Sequence, residues 1–114
     1  MTSMWIGSSS PFGTYSRTAV LITLALLGES YPRELARILQ VSLSAVQKAI
    51  VTLERDGIIA GRSMGRTRIY RLDPRYFARD DLRQYLLRLA GSEMELKGRI
   101  AQLRRRPRRT SKPL

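Results

Sequence analysis

The 114-residue sequence contains neither cysteine nor histidine. Without them there can be no disulfide bond, no thiolate- or imidazole-ligated metal site, and no catalytic arrangement that depends on either side chain. The nine acidic residues are scattered along the chain, and no Gly-rich phosphate-binding loop joins a strand to a helix. We therefore predict that the protein is not an enzyme and carries no metal and no cofactor.

Long apolar segments are also missing. The longest apolar run, "AVLITLALL" at 19–27, is too short to span a bilayer. It is neither preceded by a basic segment nor followed by a small-residue cleavage site, as a signal peptide would be. The sequence thus predicts a soluble cytoplasmic protein with no membrane partner.

Acidic residues are especially scarce in the second half of the chain. Residues 1–57 hold five Lys or Arg against four Asp or Glu, whereas residues 58–114 hold sixteen against five. Codon bias could raise the total of arginine, but it would not concentrate basic residues in one half. The positive electrostatic field of the second half of the chain attracts polyanions, with nucleic acid as the first candidate and an anionic membrane surface as the second.

Three helices are predicted before residue 57. The first runs over 16–27 and stops at Gly28, and it is apolar on nearly every face, so it must be covered by the rest of its domain or by a second copy. The second, within "YPRELARILQ", has proline in its first turn. In the third, at 43–56, Ser42 is placed as the N-cap and Val46, Ile50 and Leu53 form the inward stripe. Two short helices joined by a tight turn predict a helix-turn-helix.

Two β-prone runs follow, "IIAGR" and "TRIYRL", with Gly65 near the turn between them, and they predict a hairpin. Leucines at alternating spacings of four and three then predict two further helices, at about 80–90 and 93–104. The predicted fold class is mainly α with a small β-hairpin: a winged helix-turn-helix with additional C-terminal dimerisation helices. The domain boundaries are a flexible segment at 1–13, the winged helix-turn-helix with its C-terminal helices at 14–104, and a basic tail at 105–114.

Four segments, "PFGTYSRTAVL", "YPRELARIL", "VSLSAVQKAIVTLERDGII" and "GRTRIYRLDP", resemble the ArsR/MarR-type winged-helix transcriptional regulators. The resemblance is closest to an ArsR-like subgroup, and it implies a homodimeric, nucleoid-associated DNA-binding regulator that acts as a repressor. Members that sense metals do so through Cys and His, so metal sensing is not implied here. Some relatives continue into a nucleotidyltransferase-like domain, and that activity is not implied either.

The predicted DNA contacts come from two elements. The N-terminal residues of the second helix of a helix-turn-helix reach base edges in the major groove, and the arginines of a wing reach the backbone or the minor groove. The candidate DNA-binding residues are Ser42, Leu43, Ser44, Ala45, Gln47, Lys48, Arg62, Arg66 and Arg68. The alternative is that Gln47 and Lys48 are ordinary solvent-facing positions and that the wing is an ordinary polar hairpin. The tail could add phosphate contacts or serve only solubility.

Surplus apolar surface predicts a homodimer, because large exposed apolar patches are rare in monomers. The candidate interface residues are Leu21, Leu24, Leu82, Leu86, Leu89, Leu96, Ile100 and Leu103. The alternative is that the leucine seam folds back over the first helix within one chain.

Three classes of function remain open from the sequence. The first is a sequence-specific regulator whose partners are double-stranded DNA and a second copy of itself, with an unknown effector. The second is a winged helix that binds a protein partner or binds nucleic acid non-specifically. The third is RNA binding, which is disfavoured because the eight aromatic residues form no stacking row.

Overall fold

The computed structural model describes residues 12–91, which form four helices and one hairpin. In chain order the elements are α1 (Tyr15–Leu27), α2 (Pro32–Leu39), α3 (Leu43–Arg55), β1 (Ile59–Met64), β2 (Thr67–Leu72) and α4 (Arg79–Gly91). The predicted helix at 93–104 and the basic tail lie outside the described residues, as does most of the N-terminal segment. This order of a helix, a helix-turn-helix, a two-stranded hairpin and a further helix is that of a winged helix.

Local signals set the ends of α1. The Thr14 hydroxyl accepts a hydrogen bond from the amide of Arg17 at 3.1 Å and caps the N-terminus. At the other end Gly28 adopts a φ of 92°, and its amide donates to the carbonyl of Leu24 at 2.8 Å. A residue without a Cβ adopts this conformation at little cost, so α1 ends where the sequence predicts.

Helix α1 is the centre of the core. Every residue from Thr18 to Ala25 is buried, because α3, α4, β2 and α2 all pack against it. Thr23 is accommodated there because its hydroxyl donates to the carbonyl of Ala19 at 2.8 Å. Of the two alternatives that the sequence leaves for covering this helix, the same chain rather than a second copy buries these residues.

This packing corrects part of the predicted dimer interface. Leu21, Leu24 and Leu86 are 0%, 1% and 0% exposed within one chain. They fill the space between α1 and its neighbours and have no surface to offer a second copy. Their assignment to the interface is wrong: they are core residues.

The helix-turn-helix forms as predicted. Ser42 caps α3, since its hydroxyl accepts from the amide of Ala45 at 3.1 Å. The turn before it is closed by Gln40 in a left-handed conformation with a φ of 57°. Seven buried side chains hold α2 and α3 to the core: Leu35, Ile38, Leu39, Val46, Ala49, Ile50 and Leu53.

The hairpin is antiparallel, with Ile59 opposite Leu72 and Met64 opposite Thr67. Its tip is made by Gly65, at a φ of 66°, and Arg66. A two-residue turn between strands favours positive φ, which explains the glycine. A short bridge between Ser30 and Tyr70, with N···O distances of 3.0 and 2.8 Å, ties β2 to the loop between α1 and α2.

Within residues 12–91, none of the helices is long and apolar enough to cross a membrane.

Candidate nucleic-acid interface

Helix α3 presents polar side chains along one side of its first two turns. Ser44, Gln47 and Lys48 are exposed, whereas Val46, Ala49 and Ile50 on the opposite side are buried. The capped N-terminus fixes the start of the helix, and the buried stripe fixes its rotation. The sequence therefore determines which side chains of α3 face solvent.

The predicted residues of α3 differ in accessibility. Leu43 and Ala45 are half-buried, so each offers only part of its surface to a ligand. Ser42 is exposed, but its hydroxyl oxygen already caps the helix. The polar side chains with the most accessible surface for base edges are those of Ser44, Gln47 and Lys48.

The wing lies beside the start of α3, and a groove runs between them. The residues that line this groove are Tyr31, Pro32, Arg33, Leu43, Gln47, Arg66, Thr67 and Arg68. Candidates from two separate sequence segments thus share one surface. Gln47 and Leu43 line the side of the groove that α3 forms, and Arg66 and Arg68 line the side that the wing forms.

Four residues of this groove were not among the contacts predicted from the sequence: Tyr31, Pro32, Arg33 and Thr67. Tyr31 precedes α2 and Arg33 belongs to its first turn. Arg33 was identifiable in principle, because the first helix of a helix-turn-helix crosses the DNA backbone and this half of the chain has few basic residues. Tyr31 carries no such signal in its local sequence.

Arg62 and Arg66 differ in their surroundings. The Arg62 guanidinium forms an ion pair with Glu29 at 2.8 Å between Nη2 and Oε1, with both side chains about half exposed. Arg66, at the tip of the wing, is exposed and forms no ion pair within the described part of the chain. Of the three predicted wing arginines, Arg66 is therefore the one without a carboxylate partner among residues 12–91.

Arg68 is held by several groups at once. Its Nη2 lies 3.2 Å from the Glu54 Oε2 atom and 3.3 Å from the carbonyl oxygen of Gly61. Its Cζ atom lies 5.7 Å from the centroid of the Tyr70 ring. The hydrogen bond to the Glu54 carboxylate is the main reason that the pKa of Arg68 is raised above its ordinary value.

Two of the remaining candidates for the dimer interface, Leu82 and Leu89, do not line this groove. Leu82 and Leu89 of α4 are half-buried and pack against the core. Tyr85 of the same helix is 45% exposed, and its ring meets that of Phe12 edge-on with centroids 6.0 Å apart. Leu96, Ile100 and Leu103 lie outside the described residues.

The chemistry that this surface offers is recognition by hydrogen bonds and positive charge. Amide, hydroxyl and ammonium groups on α3 can donate to base edges, and guanidinium groups on the wing match phosphate oxygens. Residues 12–91 contain no cluster of three or more His, Cys, Asp or Glu side chains able to hold a metal ion.

Comparison with known proteins gives the fold. No family model matches the sequence, and no curated protein does. The adhesin competence repressor AdcR from Streptococcus pyogenes matches with a TM-score of 0.60 at 21% identity, over 78% of this chain and 66% of that one. ZitR from Lactococcus lactis, as a mutant in apo form, matches with a TM-score of 0.57 at 22% identity, over 76% and 68%.

A MarR family regulator from Neisseria meningitidis also matches, with a TM-score of 0.59 at 23% identity over 84% of this chain and 64% of that one. The chain spans about two thirds of the length of these three proteins. The predicted fold class, mainly helical with a two-stranded antiparallel hairpin in a winged-helix arrangement, is confirmed. The structural neighbours are of the MarR, AdcR and ZitR kind, and the ArsR-like subgroup stays a prediction.

Proposed function

We propose that the protein is a sequence-specific regulator of transcription that binds double-stranded DNA, acting as a homodimeric repressor in the cytoplasm in association with the nucleoid. The observation that carries the proposal is the groove in which the exposed side of α3 and the basic wing meet. A helix with polar side chains enters the major groove, and a neighbouring basic hairpin then meets the backbone or the minor groove. The similarity to a repressor and to a MarR family regulator supports this assignment.

The roles follow from the chemistry of the side chains on α3. Gln47 can donate to and accept from one adenine, and Lys48 can donate to the acceptors of guanine or to a phosphate. The Ala45 methyl can contact the methyl group of thymine, and the Ser44 hydroxyl can donate to or accept from a base edge. Leu43 and Ser42 are proposed to lie against the DNA where the N-terminus of α3 approaches it.

On the wing, Arg62 and Arg66 are proposed to contact phosphate or the minor groove. Arg66 is available directly, because no carboxylate within residues 12–91 pairs with it. Arg62 must first leave Glu29, but an exposed ion pair is worth about 1 kcal/mol or less. A phosphate can therefore replace the Glu29 carboxylate at low cost.

The proposed homodimer now rests on fewer residues than the sequence predicts. Leu82 and Leu89 on α4 remain candidates, together with Leu96, Ile100 and Leu103 further along the chain. A two-fold pair would place two recognition helices about 34–36 Å apart, which matches half-sites separated by one turn of DNA.

The test begins with selection of duplexes from a random-sequence library, followed by titration of the selected and random duplexes by fluorescence anisotropy at two salt concentrations. A regulator should bind the selected duplex at least about a thousandfold more tightly than random DNA. Equal, weak binding to both would refute sequence-specific regulation and leave a non-specific nucleic-acid binder or a protein-interaction module.

Two variants with matched controls assign the roles. Gln47→Ala should reduce discrimination at one base pair by about 1–3 kcal/mol. Arg66→Ala should weaken binding to all sequences alike and lower the salt slope by about one unit. Gln84→Ala and Arg83→Ala change exposed residues of the same types on α4, and neither should alter affinity, base preference or salt slope.

A further inference from the structure

We propose that Arg68 is a positioning residue, which fixes the angle between the wing and the recognition helix α3 through Glu54, and that it does not contact DNA. The consequence for binding rests on the proposed function. The contacts between Arg68 and Glu54 are present in the protein without DNA, so their effect on the motion of the wing can be measured in the free protein.

The first support is the number of groups that hold the Arg68 side chain. It spans from β2 across β1 to the last turn of α3, where Glu54 lies. One guanidinium nitrogen lies within hydrogen-bond distance of both the Glu54 carboxylate and the carbonyl of Gly61, and the guanidinium also lies over the Tyr70 ring. If the guanidinium left this position to follow a phosphate, all three contacts would be lost.

The second support is the absence of a side chain at position 61. A Cβ atom on Gly61 would lie 2.7 Å from Cε1 of Tyr70 and 2.8 Å from Nε of Arg68. Both distances are far shorter than van der Waals contact. The Arg68 side chain therefore occupies, together with the Tyr70 ring, the space that any other residue at 61 would fill.

The ion pair between Arg62 and Glu29 shows what a simple surface pair looks like in the same hairpin. Its side chains are 46% and 48% exposed, close to the 46% and 37% of Arg68 and Glu54. Arg62, however, has no further hydrogen bond among those found in residues 12–91. Exposed pairs of this kind contribute little, so the difference lies in the additional contacts of Arg68.

The angle of the wing matters because two contacts must fit one duplex. Gln47 is fixed on α3, whereas Arg66 projects from the wing tip on the other side of the groove. A hairpin that tilts freely would lose conformational freedom on binding, and this loss lowers affinity. A wing held in place by Glu54 and Arg68 avoids that loss.

The first arm of the test measures the free protein by NMR. The ¹⁵N heteronuclear NOE of the Gly65 amide, at the wing tip, is compared between the wild type, Glu54→Ala and Glu29→Ala. We expect Glu54→Ala to lower the NOE, which indicates faster motion of the tip, and Glu29→Ala to leave it unchanged. An unchanged value in Glu54→Ala would overturn the proposal whether or not the protein binds DNA.

The second arm measures affinity for the selected duplex. A positioning role predicts that Glu54→Ala and Arg68→Ala each weaken binding by about three- to tenfold, that the double variant is no weaker than either, and that the salt slope stays the same. A direct phosphate contact predicts the opposite sign for Glu54→Ala, because removing a competing carboxylate would tighten binding, and a salt slope lower by about one for Arg68→Ala. That second pattern would overturn the proposal.

The two arms separate this inference from the proposed function. If the wild type binds no duplex specifically, the proposed function fails, and the NOE comparison alone decides whether Glu54 and Arg68 fix the wing. If the wild type binds specifically and the NOE is unchanged in Glu54→Ala, the proposed function stands and the positioning role is refuted.

Discussion

Replacing Gly61 with alanine is expected to destabilise the protein, even though the change adds only one methyl group. Gly61 is absent from the positions with positive φ, so the backbone there suits an alanine. On backbone grounds alone, Gly→Ala at such a site stabilises by about 0.4–1 kcal/mol, because the unfolded chain loses conformational freedom. Any destabilisation must therefore come from packing.

The packing cost can be judged from the contacts of the added methyl group. It would lie 2.7 Å from Tyr70, which is only 8% exposed, and 2.8 Å from Arg68. Extra atoms forced into a packed site cost about 1–3 kcal/mol. After subtraction of the backbone gain, we expect a net loss of about 1–2 kcal/mol, which corresponds to a Tm lower by several degrees in a domain of this size.

Gly65→Ala provides the comparison, since it loses stability for a different reason. A Cβ there meets nothing within 4 Å, but the φ of 66° is left-handed and costs about 1–2 kcal/mol for a residue with a side chain. The two variants are distinguished by combining each with Arg68→Ala. Removal of Arg68 should relieve part of the cost of Gly61→Ala and none of the cost of Gly65→Ala.

Urea unfolding followed by circular dichroism measures six proteins at one pH: the wild type, the three single variants and the two double variants. We expect a coupling of about 0.5–1 kcal/mol between positions 61 and 68, and additivity between positions 65 and 68. A Gly61→Ala variant as stable as the wild type would refute the steric argument and remove the second support for the positioning role of Arg68.

Three further predictions concern stability and assembly. Leu21→Ala should lower the free energy of unfolding by about 2–5 kcal/mol in urea unfolding, since this side chain is fully buried; a neutral effect would contradict its place in the core. The amide of Arg75 donates to the Asp73 carboxylate at 2.9 Å and holds the pKa of Asp73 below its ordinary 3.8. The stability that Asp73 contributes should therefore be fully present above pH 3.8 and lost as the pH falls through the lowered pKa. The loss of unfolding free energy caused by Asp73→Ala should accordingly become smaller in acid. A loss that is the same at every pH would be evidence against this pairing. For the proposed homodimer, sedimentation equilibrium should show a dimer for the wild type and a monomer for a Leu89→Glu, Leu96→Glu double variant, whereas a monomeric wild type at micromolar concentration would refute it.

Much of the fold could be predicted because its signals are local. Ser42 caps the helix that begins at the next residue, and Gly28 ends α1 through a hydrogen bond to Leu24 in the preceding turn. Gly65 marks the tip of the hairpin through its own φ. Each of these features depends on residues within one turn of chain, so the sequence is sufficient to locate them.

The coverage of α1 could not be predicted, although its apolar composition could be read directly. Apolarity on all sides shows that a helix must be covered, but it does not show by what. The sequence left a second copy and the same chain as alternatives. In the structure α3, α4 and β2 pack around α1. Leu21 and Leu24 are therefore core residues and not residues of a dimer interface.

The separate roles within the wing were also beyond sequence reasoning. Arg62, Arg66 and Arg68 look equivalent in the sequence, as basic residues of one hairpin. Their partners, Glu29 for Arg62 and Glu54 for Arg68, are distant in sequence and meet them only because of the way the hairpin lies on the helices. The sequence predicted the recognition helix and the wing, which form two sides of the candidate surface, but not the different surroundings of its arginines.

The bridge between Ser30 and Tyr70 has a consequence for hydrogen exchange. Each residue donates its amide to the carbonyl of the other, and the bridge joins β2 to a loop at the far end of α1. Fraying of one helix, or opening of the hairpin tip, leaves both bonds intact. Their amide protons should therefore exchange with solvent only through openings that detach β2 from the helices, which makes this pair a reporter of cooperative unfolding.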